Sequence, residues 1–259
     1  MKNLGGALRI DLRRAFGSSA FFIAIALLII LNYISISAEA MVTNGSVMYF
    51  MLLFVFDGSF CIIATFIGVI PFGQSFCADW KNQFIRPSLI RCSPLSYAWS
   101  KVISVALTAF LSIFIGYLLT AVLFFLHLPM FGAEFYRVGY ELYDNGALGK
   151  LMEISPWLYL GARIALYGAA CAFWAVFALF VSSFVTNVFA TFAAPVIGYY
   201  FVIHLPLPIY LRFNVLSGGR LVAGGTVTSF LYALFFFFTL TVIFGWLFCF
   251  RVRRRLANG

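Results

Sequence analysis

Residues 93–126 read SPLSYAWSKVISVALTAFLSIFIGYLLTAVLFFL. Ser93-Pro94 has the form of a helix N-cap followed by a first-turn proline. The serine oxygen can accept a backbone N–H of the opening turn, and proline's missing N–H costs nothing where no intrahelical acceptor exists. Behind it comes an apolar run longer than the roughly 20 helical residues needed to cross a hydrocarbon core about 30 Å thick. This predicts a membrane span from Pro94 to Leu126, with Tyr97, Trp99 and Lys101 at its interfacial end.

The same pattern recurs on both sides of it. Upstream, Phe16 to Ile36 and Val47 to Phe72 are each long enough to span, joined by a short loop around Glu39 to Ser46. Downstream, a span from Trp157 to Val185 turns at Thr186-Asn187 into a shorter one over residues 188–203, where Pro195 and Gly198 predict a kink. The last span, Thr226 to Phe250, meets Arg251, Arg253, Arg254 and Arg255, which are expected to stop it. The fold class expected is all-α integral membrane: one transmembrane domain over 1–259 with six transmembrane helices. Composition agrees, since 64% of the residues are hydrophobic and 10% charged, against about a quarter charged in soluble domains. No length remains for a large soluble domain.

The net charge of +9 does not point to nucleic acid, because the basic residues flank apolar runs, where they orient spans and meet anionic lipid headgroups. Twelve Lys or Arg (2, 9, 13, 14, 81, 86, 91, 101, 251, 253, 254, 255) fall on one side and five (137, 150, 163, 212, 220) on the other. The bias places both termini on the cytoplasmic side; the localisation expected is a cell membrane, a bacterial plasma membrane. The first apolar run follows Arg13 and Arg14 and has no small-residue cleavage site, so it reads as a retained span. Cys61, Cys77, Cys92, Cys171 and Cys249 lie in spans or on the cytoplasmic side and imply no disulfide framework.

Three segments lie outside the spans. Leu4, Leu8 and Leu12 recur at helical spacing with Lys2, Arg9 and Arg13 on other faces, which predicts an amphipathic interfacial helix. His127 to Pro156, with Glu134, Glu141, Asp144 and Glu153, is expected as the main outer loop. Gly73 to Ser100 is the longest cytoplasmic stretch. In it Phe76, Trp80 and Phe84 recur every four residues and would form one aromatic stripe on a helix, while Asp79, Asn82 and Arg86 point elsewhere and Pro87 ends the helix. Such a stripe is either a helix lying flat in headgroups or a short helix whose aromatic anchors fill a groove on a partner.

Catalytic patterns are absent from the sequence: it has no Ser/His/Asp arrangement, no Gly-x-Ser-x-Gly and no His-Glu-x-x-His. His127 and His204 each precede Leu-Pro at an outer span end, without further metal ligands at suitable spacing. Gly218-Gly219 and Gly224-Gly225 lack the Gly-Lys-Ser/Thr ending of a phosphate loop, so any driving nucleotide sits on another polypeptide. Asp57 is the only acid well inside an apolar run, where an unpaired carboxylate costs at least about 2.5 kcal/mol. An intramembrane ion pair with Arg163, or a wetted vestibule, is the favoured reading over a direct substrate or proton role.

In its layout the chain resembles the membrane subunits of type-2 ABC exporters, six-span permeases that work with separate ATP-binding subunits. The likeness is carried by the amphipathic helix Leu4 to Arg14, by Pro71-Phe72-Gly73 through Arg91-Cys92-Ser93-Pro94-Leu95-Ser96 to Lys101, and by Ala178-Leu179-Phe180-Val181-Ser182-Ser183 to Thr186-Asn187. The resemblance implies that Phe76, Asp79, Trp80, Lys81, Phe84 and Arg86 belong to the coupling helix that seats on an ATP-binding subunit. It also implies no cofactor on this chain, ATP and Mg on that partner, a second permease copy or paralogue, and an amphiphilic cargo such as a peptide, lipid-linked molecule or drug. The family often carries an acidic residue and then a glycine before this helix ends, whereas here Asp79 is followed by Trp80, Lys81 and Asn82. Two rivals are an ion-coupled secondary transporter, to which only Asp57 and the Pro195 break point, and a non-transporting scaffold or immunity-type membrane protein.

Overall fold

A computed structural model describes residues 4–40, 45–55, 60–138, 140, 146–222 and 224–257. The described residues form helices joined by turns, with no strand among them. The principal helices are α1 (Leu4–Phe16), α2 (Ser19–Ala40), α3 (Phe60–Val69), α4 (Ser75–Lys81), α5 (Ile85–Arg91), α6 (Pro94–Phe125), α7 (Pro156–Ser182), α8 (Val188–His204) and α9 (Thr226–Ala257). Among the described residues, α6, α7 and α9 are long and apolar enough to cross a membrane, and α1 with α2 makes a further candidate bent by 48°. The chain thus has the make-up of an all-helical membrane protein.

Cap chemistry sets the helix starts. Ser93 accepts the Ser96 N–H at 3.2 Å with Pro94 in the first turn. Ser155-Pro156 repeats the device at α7, and Asn187 accepts the Phe189 N–H at 2.9 Å to open α8. These are the local signals that let a helix end be placed from sequence.

α7 is the most enclosed helix and packs on α6, α9, α8 and α3. α6 buries a row of small residues, Ser96, Ser100, Ser104, Thr108, Ser112, Gly116 and Thr120, one every fourth position. Small side chains let helix backbones approach where lipid supplies no hydrophobic drive between helices. Leu28 of α2 sits directly over Gly116. Several of the hydroxyls bond back to carbonyls of their own helix, as Thr108 to Ser104, Ser112 to Ala109 and Thr120 to Gly116, and so need no partner across the interface.

Two apolar clusters fill the interior. One, at the end that carries α1, α4 and the last turns of α9, gathers Ala15, Phe72, Phe76, Tyr97, Val105, Leu179 and Phe248. The other occupies the remainder, around Phe50, Ile113, Tyr167, Trp174, Phe213 and Phe237. The first of these ends, with Arg13, Arg14, Lys101 and Arg251 to Arg255, is called here the basic end.

The structure adds local detail to four expectations from sequence. Within the region expected as a single span over 47–72, Val47–Tyr49 is α-helical, Phe50–Val55 is π-helical and α3 covers Phe60–Val69. The arginines after Phe250 end the apolar run but not the helix, because arginine is a good helix former and α9 continues to Ala257. The acidic segment 127–156, expected as the main outer loop, holds the short helices Ala133–Val138 and Gly149–Ile154, buries Phe135, and lends the Pro129 and Met130 carbonyls to the Val47 and Met48 N–H groups. α8 stays helical through Pro195, and a Cβ at Gly198 would collide with the Trp174 ring, so this glycine also serves packing.

Candidate functional site

Between α3 and α6 the chain makes an elbow of two short helices, α4 and α5. Asn82 and Gln83 break them apart. The Gln83 N–H bonds the Trp80 carbonyl and the Phe84 N–H bonds the Asp79 carbonyl at 2.9 Å, with Gln83 left-handed at φ 55°. This is a Schellman termination, with glutamine where glycine is usual. Pro87 therefore does not end a helix that began at Phe76; it lies in the first turn of α5, where its missing N–H is tolerated.

The break corrects the continuous aromatic stripe. Phe76 is fully buried, edge-on to Phe248 of α9 at 5.3 Å between ring centroids. Trp80 is half-buried and carries the Arg255 guanidinium 3.9 Å from its ring centroid, a cation–π contact. Lys81, Asn82, Gln83 and Phe84 are exposed at the tip. Arg86 lies in α5, its side chain outside the described residues.

Asp79 points inward and anchors a charge network that joins three helices. Lys101, on the first turns of α6 and fully buried, places Nζ 2.7 Å from Asp79 Oδ2 and 2.7 Å from Oδ1 of Asp11 on α1. Arg14 donates from Nη2 to Asp79 Oδ1 at 3.1 Å and holds Nη1 3.9 Å from Asp11 Oδ1. The Tyr97 hydroxyl donates to Asp79 Oδ2 at 3.0 Å, and Ser100 Oγ donates to Asp11 Oδ2 at 2.7 Å. The Lys101 ammonium also lies 5.0 Å from the Phe72 ring centroid. Two carboxylates face two cations, so the buried cluster is balanced.

Burial pushes the Asp79 carboxyl up, but the charge and hydrogen bond of Lys101, followed by those of Arg14, outweigh it and hold the group below its ordinary value. Nearby, burial and then the Asp11 charge push the Cys92 thiol up. Above the network a cavity of about 690 Å³ opens between α1, the elbow and α6.

Lys101 is thus not an interfacial lysine, as its sequence position suggested, but the centre of the site. α1 likewise meets the protein through buried Asp11 and Ala15, with Leu8 and Leu12 only half-buried. Asp11 carried no weight in the sequence reading. The signal that could have found it is an acid stranded among Arg9, Arg13 and Arg14, as Asp79 is stranded before Lys81 and Arg86.

Asp57 lies outside the described residues, and its expected pairing with them. Arg163 is buried far from the basic end, its guanidinium lying against Gly219, which is left-handed at φ 58°. No family model, no curated protein and no solved structure matches the chain.

Proposed function

We propose that this chain is the permease subunit of a type-2 ABC exporter in a bacterial plasma membrane, with six spans and both termini cytoplasmic. In this reading α2, the segment 47–69, α6, α7, α8 and α9 are the spans, and the basic end faces the cytoplasm. An ATP-binding subunit, which carries ATP and Mg, seats on the elbow, and a second permease copy or paralogue completes the path for an amphiphilic cargo.

One observation carries the proposal: the elbow is exposed at its tip and braced at its base. A flexible loop would absorb a push, whereas Asp79 ties this one to α1 and α6 through Lys101, Asp11 and Arg14. Closure of the ATP-binding subunits against Lys81 and Phe84 would then move α4, α1 and α6 together, the rigid-body coupling that alternating access requires. Within the coupling set, Lys81 and Phe84 are placed to touch the partner, while Phe76, Asp79 and Trp80 transmit.

The test is the pair of substitutions Lys81→Glu and Phe84→Ala in the full chain. Copurification of the ATP-binding subunit in mild detergent should be lost, with membrane insertion and melting temperature unchanged. Retained copurification and ATPase activity would overturn the proposal.

A further inference from the structure

We infer that the cavity above the ion-pair network binds the phosphate headgroup of an anionic phospholipid, seated on the Arg14 guanidinium. This needs only a membrane around the chain and is independent of the exporter reading. The volume of about 690 Å³ is within the range of small-ligand sites.

Floor and lips differ in chemistry. Asp11 and Asp79, 5% and 1% exposed, line the floor, and their oxygens are engaged by Lys101, Tyr97 and Ser100. Arg14 is the member that reaches the opening, with 46% of its side chain exposed. A guanidinium offers five N–H donors in a planar fork suited to phosphate, more than its two carboxylate contacts consume. The lips are apolar: Ala7, Ile10, Phe84 and Pro87 line the cavity, and Ile10 is 54% exposed.

A cationic opening with apolar lips fits an amphiphile better than a free ion. The phosphate would lie on Arg14, and the glycerol and first methylenes on Ile10. Charge decides among headgroups. Lys101 and Arg14 balance the two carboxylates, so the exposed Arg9 and Arg13 on the same helix and Lys81 on the elbow leave the surroundings positive.

Native mass spectrometry of the full chain in neutral detergent tests this, with titration by dioleoyl-phosphatidylglycerol, dioleoyl-phosphatidylcholine and inorganic phosphate in separate arms. Phosphatidylglycerol should bind saturably, one per chain, about tenfold tighter than phosphatidylcholine: both phosphates can pair with Arg14, but the choline cation meets the positive surroundings. Arg14→Gln should weaken both lipids about tenfold, the value of the lost charge-assisted pair, while Arg13→Gln should leave both affinities within about twofold. Ile10→Ser, outside the network, should weaken both lipids alike and reports on the cavity even if Arg14→Gln folds poorly. Equal losses in Arg14→Gln and Arg13→Gln, binding without saturation, or displacement of the lipid by inorganic phosphate would each overturn the inference.

Discussion

Replacing Lys101 by Met removes one ammonium and leaves two carboxylates where the lysine was fully enclosed. Asp11 and Asp79 would both lose a partner at 2.7 Å, retaining Arg14, whose side chain is 46% exposed, and the two hydroxyl donors. Breaking one buried pair by removing one partner costs about 3–5 kcal/mol, mostly from the stranded charge. With two carboxylates stranded the upper part of that range applies. At about 2–4 °C per kcal/mol for a chain of this size, the melting temperature should fall by roughly 10 °C or more. Thermal melting in mild detergent, read by size-exclusion chromatography, measures it.

The pH dependence separates a stranded charge from a simple packing defect. In the unmodified chain the Asp79 pKa is depressed, so its contribution is present above the ordinary value of 3.8 and lost only as pH falls through the lower folded value. Between pH 7 and pH 5 the contribution of Asp79 should therefore be indifferent to pH. In Lys101→Met, burial of Asp79 is no longer opposed by the lysine and its carboxyl rises; protonation then relieves the strain, so the variant should regain stability as pH falls across the same interval. Adding Asp11→Asn and Asp79→Asn to Lys101→Met should restore most of the loss at pH 7. A fall under about 2 °C at pH 7, or one that does not shrink on acidification, would refute the account of Lys101 as the pin of three helices.

Gln83→Gly should stabilise the chain by about 1 kcal/mol, because glycine adopts φ 55° without the Cβ penalty and the Schellman bonds are kept; chemical or thermal melting reads it. Gly219→Ala should destabilise by more than about 1 kcal/mol, since φ is 58° and a Cβ would meet the Arg163 guanidinium; melting of the purified variant checks this. A double-mutant cycle of Trp80→Ala and Arg255→Ala should give a coupling of about 0.5–1 kcal/mol for the cation–π contact, and a value near zero would mean that α4 and α9 are held by Phe76 and Phe248 alone.

The membrane helices were legible where the information is local. Ser93-Pro94 and Asn187 announce helix starts through side chains that bond their own backbone, and the long apolar runs of α6, α7 and α9 need no tertiary context. The segment from Val47 was not legible, because nothing in an apolar run tells a π-helical stretch from an α-helical one. The hydroxyl row on α6 was in plain view at every fourth residue, yet apolar averaging hides serine and threonine among leucines. The site was least legible. Lys101 and Asp11 are 90 residues apart, and a lysine near a span end reads equally well as one reaching for headgroups.

The aromatic stripe shows why periodicity misled at the elbow. It assumed that one helix carries Phe76, Trp80 and Phe84, so that all share a face. The chain instead ends α4 at Lys81 and passes through a left-handed residue, which releases Phe84 from that face. The turn thereby separates two demands that one continuous helix could not meet. Phe76 and Asp79 face inward, where packing against Phe248 and pairing with Lys101 fix the base. Lys81 and Phe84 face outward with no part in that fixation. A short Schellman-terminated helix is therefore what lets a seven-residue segment be both buried enough to be rigid and open enough to be touched.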